Sequence, residues 1–165
     1  MMTDFFSDES LTEDCISHQV FGIIDKNPAA STTEIDIGWI ATVNNPKEQK
    51  IQFTGIDHNK YFSDLFQSGK RCDGMLYYKD EPKKSVIFIE LKTGLNTVKW
   101  VYKAKLQLLN TVKKFNECHN YSDFEQRQAF ASNAMDYATS VPRLNDIEEF
   151  FELGFEFNVN SVINM

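Results

Sequence analysis

Two neighbouring segments of the chain read RCDGMLYY (residues 71–78) and SVIFIELK (residues 85–92). The second segment is apolar on both faces over residues 86–89, which is typical of a strand in the centre of a sheet. The polar stretch KDEPKK (residues 79–84) lies between the two segments and favours a tight connection. We therefore expect residues 71–78 and 85–92 to be antiparallel neighbours in one sheet.

Charged residues cluster at one end of this predicted strand pair. Side chains alternate along a strand, so Glu90 and Lys92 point to one face and Leu91 points to the other. Asp73, on the neighbouring strand, would place a second carboxylate within about 6 Å of Glu90, close enough to share one cation. Two carboxylates and a lysine at a sheet end can hold a hard divalent cation and position a water. The pattern also fits a simple edge salt bridge between Glu90 and Lys92, which contributes little to stability.

Composition predicts one globular domain spanning residues 1–165. The chain has 165 residues, of which 42% are hydrophobic and 13% aromatic, enough for a sizeable core. No apolar run approaches the roughly 20 residues that span a bilayer, so we expect no membrane partner. Acids stand near the N-terminus, where a signal peptide would be basic, and the cysteines form no CxxC pair. These features favour a reduced, cytoplasmic protein; the cysteines are Cys15, Cys72 and Cys118.

The charge distribution is uneven. The net charge of −7 argues against a protein that coats nucleic acid in general. Between residues 91 and 116, however, there is no Asp or Glu, and six lysines occur there: Lys92, Lys99, Lys103, Lys105, Lys113 and Lys114. A local basic surface of this kind can bind phosphates. It is equally well explained as the solvated face of a helix.

The remaining patterns predict an α/β (α+β) fold with a mixed central β-sheet flanked by helices. Residues 97–116 carry the clearest helical periodicity, with Gln107 on a flank that can face the sheet end. Residues 20–24 fit either a helix or a strand. We expect helical segments at residues 11–18, 61–67 and 146–152, and strands at 35–43, 50–56 (half-exposed), 128–133 and 154–159.

Segment 71–116 resembles the core of the PD-(D/E)xK nuclease superfamily, the fold of many restriction enzymes and recombination exonucleases. Asp73 matches the first acid of that motif, Glu90 and Lys92 match the (Asp/Glu)-x-Lys element, and Gln107 matches a frequent helix position. Small bacterial proteins with the same Arg-Cys-Asp-Gly and Glu-Leu-Lys elements are also similar. Cys72 replaces the motif's proline. The N-terminal acid that many members add has one nominal candidate, Glu13, whose capping-box spacing from Ser10 offers a structural explanation instead.

The resemblance implies a restriction-endonuclease-like core with a metal-dependent site. Mg²⁺ or Mn²⁺ would be held by Asp73, Glu90 and the backbone carbonyl of Leu91. Lys92 would orient the attacking water or neutralise charge that builds up on the phosphate. Gln107 would position Lys92 or that water.

The partner implied by the resemblance is a nucleic acid, either DNA or RNA, whose backbone would be gripped by Lys99 and Lys103. A chain this small has no evident target-recognition domain, so a protein partner or a homodimer is expected to supply it. The competing hypothesis is an interaction protein, such as an immunity or regulatory subunit, that keeps the fold without catalysis. Retention of Asp73, Glu90 and Lys92 argues against that hypothesis.

Other chemistries are not indicated. The three histidines, at positions 18, 58 and 119, share no metal-ligand spacing. No Gly-x-Ser-x-Gly elbow accompanies the serines, so acyl transfer is not predicted. The chain also has no glycine-rich phosphate loop of the kind that nucleotide hydrolysis requires.

Overall fold

A computed structural model describes residues 2–94, 99–135 and 141–165. The strands in chain order are β1 (Val20–Ile24), β2 (Ala30–Thr32), β3 (Ala41–Asn44), β4 (Ile51–Gly55), β5 (Gly74–Tyr78), β6 (Ser85–Lys92), β7 (Gln126–Asn133), β8 (Glu156–Val159) and β9 (Val162–Asn164). The α-helices are α1 (Ser63–Phe66), α2 (Trp100–Cys118) and α3 (Leu144–Glu152). Together they form a mixed α/β fold, as the sequence predicts.

The strands form two sheets, of which the larger has the order β4-β5-β6-β7-β8. β4, β5 and β6 are antiparallel neighbours, whereas β6, β7 and β8 run parallel. The predicted pairing of β5 with β6 is confirmed, with Gly74 opposite Ile89 and Tyr77 opposite Val86. The central position of β6 explains why it is apolar on both faces.

Alternate residues of β6 face two different hydrophobic cores. Val86 and Phe88 belong to a core formed with α2 and the N-terminal segment. Ile87, Ile89 and Leu91 belong to a second core, shared with the smaller sheet, whose strand order is β2-β1-β3-β9. The prediction that helices flank the central sheet thus holds for one face. The other face is covered by a four-stranded sheet, whose three-residue strands β2 and β9 were not predicted.

The predicted helix at residues 11–18 is wrong. The only helical turn nearby in the described ranges is a 3₁₀-helix at Asp8–Ser10, capped by Ser7. Residues after it run along β4 instead, where Thr12 accepts a hydrogen bond from Gly55 and Ile16 bridges Ile51. This segment covers β4, so all of β4 is buried and the prediction of a half-exposed strand there is also wrong.

The predicted strand at residues 35–43 is shorter than expected. Strand β3 begins only at Ala41, because Asp36 (φ 65°) and Gly38 (φ 81°) adopt left-handed backbone that an extended strand cannot contain. Residues 20–24, which fit two interpretations, form strand β1.

The remaining predicted elements all form, with shifted ends. They are the helical turn at 60–66, helix α2, strand β7, helix α3 and strand β8. Residues 97 and 98 of the predicted helix lie outside the described residues. No helix among the described residues is long and apolar enough to cross a membrane.

Candidate active site

The charged end of β6 projects beyond its antiparallel partner. β5 begins at Gly74, opposite Ile89, so the last three residues of β6 extend past the start of β5. On the other side, β6 stays paired with β7 as far as Lys92 opposite Asn133. The result is a notch in the sheet, bordered by the end of β6 and the segment that leads into β5.

Asp73 fills part of this notch. Its Oδ2 accepts a hydrogen bond of 2.6 Å from the Leu91 backbone N–H, in place of the backbone partner that β5 would otherwise supply. The Asp73 carbonyl accepts from Ile56, which fixes the residue to the end of β4. Burial raises the pKa of Asp73 to about 6, against the opposing effect of the Leu91 hydrogen bond. The side chain of Leu91 packs towards the second sheet, opposite to the site, as predicted.

Glu90 is almost completely buried, with 1% of its surface exposed. Its Oε1 accepts a hydrogen bond from Lys92, whereas Oε2 is buried and receives none from the described residues. Burial, followed by the charge of Asp73, raises the pKa of Glu90 to about 8, and the two carboxyls are close enough to share a proton. Without a cation, this pair therefore holds a proton well above the usual pH range of carboxyls.

Lys92 and Gln107 complete the arrangement. The Lys92 ammonium donates to Glu90 Oε1 at 2.6 Å and to Gln107 Oε1 at 2.7 Å, which uses two of its three protons. Gln107 Nε2 donates to the Arg71 carbonyl at 3.3 Å. Gln107 thus ties helix α2 both to Lys92 and to the segment before β5. Because Glu90 is buried on a central strand, its contact with Lys92 is not an exposed edge salt bridge.

The two lysines expected to bind phosphate, Lys99 and Lys103, are exposed at the N-terminal end of α2. They precede Gln107 by eight and four residues, which places all three on one stripe of the helix. At a rise of 1.5 Å per residue they lie about 12 and about 6 Å from Gln107 along the axis.

Two other lysines of the block, Lys105 and Lys114, are paired with acids. Lys105 is buried between α2 and α3, where it contacts Asp146 at 2.9 Å and Glu149 at 3.3 Å. Burial opposes its charge, but the hydrogen bonds to these carboxylates raise its pKa overall. Lys114 pairs with Glu117 on the same helix. Only part of the acid-free block is therefore free to contact a phosphate backbone.

Glu13 has a structural role. Its two carboxylate oxygens accept from the backbone N–H and the hydroxyl of Ser31, at 2.8 and 2.7 Å, and so hold strand β2. Burial raises the pKa of Glu13. The capping box proposed for Glu13 does not form, because Ser10 ends the 3₁₀-helix rather than beginning a helix.

Two further acids, Asp25 and Asp57, act on the site and were not predicted. Their negative charges contribute to the raised pKa of Asp73, after burial. Asp57 is paired with Arg71 at 3.1 Å, whereas Asp25 is exposed. Each acid follows the end of a strand, Asp25 directly after β1 and Asp57 two residues after β4. A charged residue at a strand end is the same sequence signal that indicates a site at Glu90.

The donor set suits a cation such as Mg²⁺ that retains several waters. Within residues 2–94, 99–135 and 141–165, no group of three His, Cys, Asp or Glu side chains is arranged to hold a metal. Two adjacent carboxylates and nearby main chain would supply part of a coordination sphere, and water or substrate oxygens the rest. Glu90 Oε2 is buried and accepts no hydrogen bond from a neighbouring N–H or O–H group, so a cation would satisfy it once the proton shared with Asp73 is lost.

The chain matches no family model, no curated protein and no solved structure. The resemblance to PD-(D/E)xK nucleases therefore depends on Asp73, Glu90, Lys92 and Gln107 and on the strand and helix positions that they occupy.

Proposed function

We propose that this protein is a metal-dependent phosphodiesterase that acts on DNA or RNA, with its site at Asp73, Glu90, Lys92 and Gln107. One observation carries the proposal: a buried carboxylate oxygen without a donor, Glu90 Oε2, lies in a pair with Asp73 and next to a lysine. A site of two carboxyls with raised pKa values and a partner amine is a frequent mark of function. A purely structural ion pair would not need the second carboxyl.

Asp73, Glu90 and the main chain at Leu91 would hold the cation, Mg²⁺ or Mn²⁺. When bound, the cation would lower the pKa of a coordinated water and offset charge on the phosphate. Lys92 keeps one ammonium proton beyond its contacts with Glu90 and Gln107, and this proton can be donated to a water or a phosphate oxygen. Gln107 fixes the orientation of Lys92 through its own bond to the Arg71 carbonyl.

The decisive experiment is cleavage of labelled single- and double-stranded DNA and RNA by purified protein with Mn²⁺ or Mg²⁺. We expect metal-dependent cleavage by the wild type, none by Lys92→Ala, and neither cleavage nor metal binding by Asp73→Ala. Glu117→Gln is the control, because Glu117 is also a carboxylate that contacts a lysine, Lys114 at 3.1 Å, but near the C-terminal end of helix α2 and away from the site. A wild type that neither binds nor cuts nucleic acid at low salt with Mn²⁺ would overturn the proposal.

A second candidate function is protein binding without catalysis, as in an immunity or regulatory subunit. Helix α3 favours it, because Leu144, Ile147 and Phe151 are exposed by 69%, 39% and 80% at i, i+3, i+7 spacing. The same surface would serve a protein partner or a homodimer of an active enzyme. Sedimentation of the wild type and of Phe151→Ser tests self-association through this surface. If the protein binds no Mn²⁺ in calorimetry, the protein-binding function replaces the catalytic one.

A further inference from the structure

The exposed side chain of Tyr102 is unexpected on a helix whose other large residues pack inward. Tyr102 lies in the first turn of α2 and is 57% exposed, whereas Trp100 nearby is 6% exposed. Exposure of one aromatic ring is ordinary by itself. The charged residues around Tyr102 on the helix indicate a more specific role for this ring.

The ring of Tyr102 is held in place by a charge network beneath it. The Lys105 ammonium lies 5.3 Å from the ring centroid, which is within the range of a cation–π contact. Lys105 is itself fixed by Asp146 and Glu149 of helix α3. The ring is thus anchored on one side by an ordered cation, and more than half of its surface remains open to solvent.

The lysines proposed to bind phosphate flank this ring. Lys99 precedes Tyr102 by three residues, about one helical turn, and Lys103 follows it directly; both are exposed. Gln107, which contacts Lys92, lies five residues further on, about 7.5 Å along the helix axis and about 140° around it. The order around the helix is Tyr102, Lys99, Lys103 and Gln107, so the ring and the candidate catalytic site are joined by the two cations around the N-terminal end of α2.

We propose that Tyr102 is a stacking site for an unpaired nucleobase, and that the preferred substrate is therefore single-stranded nucleic acid. This inference rests on the proposed phosphodiesterase function. Proteins that bind single strands combine aromatic rings, on which bases stack, with cations that follow the backbone. Within a duplex, each base is already stacked on its neighbours. The Tyr102 ring could therefore stack only on the terminal base pair of a duplex, whereas it could stack on any base of a single strand.

The test compares binding of a fluorescent single-stranded oligonucleotide with binding of its blunt duplex, in Ca²⁺ so that cleavage does not interfere. We expect Tyr102→Leu to weaken single-strand binding by a factor of about 5 to about 100, the usual effect of losing one stacked base. Tyr102→Phe should keep most of the affinity, because the ring remains. The salt dependence of binding should be unchanged, since no phosphate contact is lost.

Tyr121→Leu is the matched control. Tyr121 is also exposed and also contacts a cation, with Arg127 at 5.2 Å from its ring, but it belongs to a cavity that the N-terminal end of α2 does not line. Its replacement should leave nucleic-acid binding unchanged. Thermal unfolding of each variant shows whether the fold is retained.

Two results would overturn the stacking site: unchanged single-strand affinity in Tyr102→Leu, or an equal loss with the duplex. Both are measured relative to a wild type that binds and cleaves, so they leave the phosphodiesterase proposal standing. Failure of that proposal would instead be seen in the wild type, as absence of binding and cleavage with every substrate.

Discussion

Glu90 and Lys92 project from the same face of the central strand, and their side chains meet at 2.6 Å, although Glu90 is almost entirely buried. A buried carboxylate is normally neutralised by its partner. Here a second carboxyl, Asp73, offsets that effect, and the pKa of Glu90 is raised to about 8 by burial and by Asp73 in spite of Lys92. With both carboxyls ionised, the site would carry more negative charge than its lysine can balance, and a bound cation would offset that excess.

Stability without metal should fall as the pH rises. The folded protein keeps a proton on Glu90 that the unfolded chain releases above its ordinary pKa of 4.5. The resulting stabilisation is fully present below that value and is lost as the pH rises towards about 8, the pKa of Glu90 in the folded state. Urea unfolding in EDTA should therefore show a decline across this range, on the order of several kcal/mol. Asp73, with its pKa raised to about 6, adds to the decline over the lower part of the range.

Two controls belong with this pH experiment. Glu90→Gln should flatten most of the decline, because the titrating group is removed. Saturating Mn²⁺ should raise stability most at high pH, where both carboxyls are ionised and can act as ligands. Equal slopes in the wild type and in Glu90→Gln would show that another group is responsible.

Replacing Lys92 should separate metal binding from catalysis. Lys92→Ala removes the positive charge beside Glu90, so the site becomes more attractive to a cation, and we expect Mn²⁺ affinity in calorimetry to be kept or increased. Cleavage should be lost because no ammonium remains to assist the water or the phosphate. The variant should stay folded, since Lys92 lies at a strand end and its side chain is 25% exposed. Wild-type cleavage rates in this variant would remove Lys92 from the proposed mechanism.

Gln107→Ala should slow cleavage without loss of the metal. The substitution removes the acceptor of Lys92 and the donor to the Arg71 carbonyl, so Lys92 becomes less well oriented. We expect a loss of stability of about 1 kcal/mol and a lower single-turnover rate, with Mn²⁺ affinity unchanged. Asn110→Ala is a suitable comparison, because Asn110 also donates to a backbone carbonyl of the same segment, that of Lys70, but does so away from Lys92. Equal rates in the two variants would assign Gln107 a structural role only.

Nucleic-acid binding should depend steeply on salt, through Lys99 and Lys103. Each replacement by alanine should reduce the slope of log affinity against log salt by about one unit, or slightly less for a single strand. Lys113→Ala is the control, because Lys113 is also exposed but lies nearer the C-terminal end of α2, away from the site. If all three variants change the slope alike, binding depends on overall charge and not on the N-terminal end of the helix.

Local sequence patterns were sufficient where neighbours in the chain are also neighbours in space. The bounds of β6 agree with the predicted residues 85–92, and its pairing with β5 follows from the short connection between them. Helix α2 follows from its own periodicity. Residues 11–18 show the limit of this approach: the spacing of Ser10 and Glu13 suits a helix cap, yet Glu13 instead satisfies Ser31 of β2. The hydrogen bonds from Ser31, which is 18 residues away in the sequence, form instead of the local capping box with Ser10.

By itself, the sequence determined the central hairpin, the shared face of Glu90 and Lys92, and the helix that carries Gln107, because each depends on the fixed repeat of a strand or a helix. Only the tertiary structure decided that a second sheet covers the opposite face, since the parallel pairing of β3 with β9 joins distant parts of the chain. The tertiary structure also places Asp25 and Asp57 near enough to Asp73 to raise its pKa. It pairs Lys105 with Asp146 of helix α3, so Lys105 is not exposed beside Lys99 and Lys103. These contacts arise from burial and long-range packing, for which no local repeat exists.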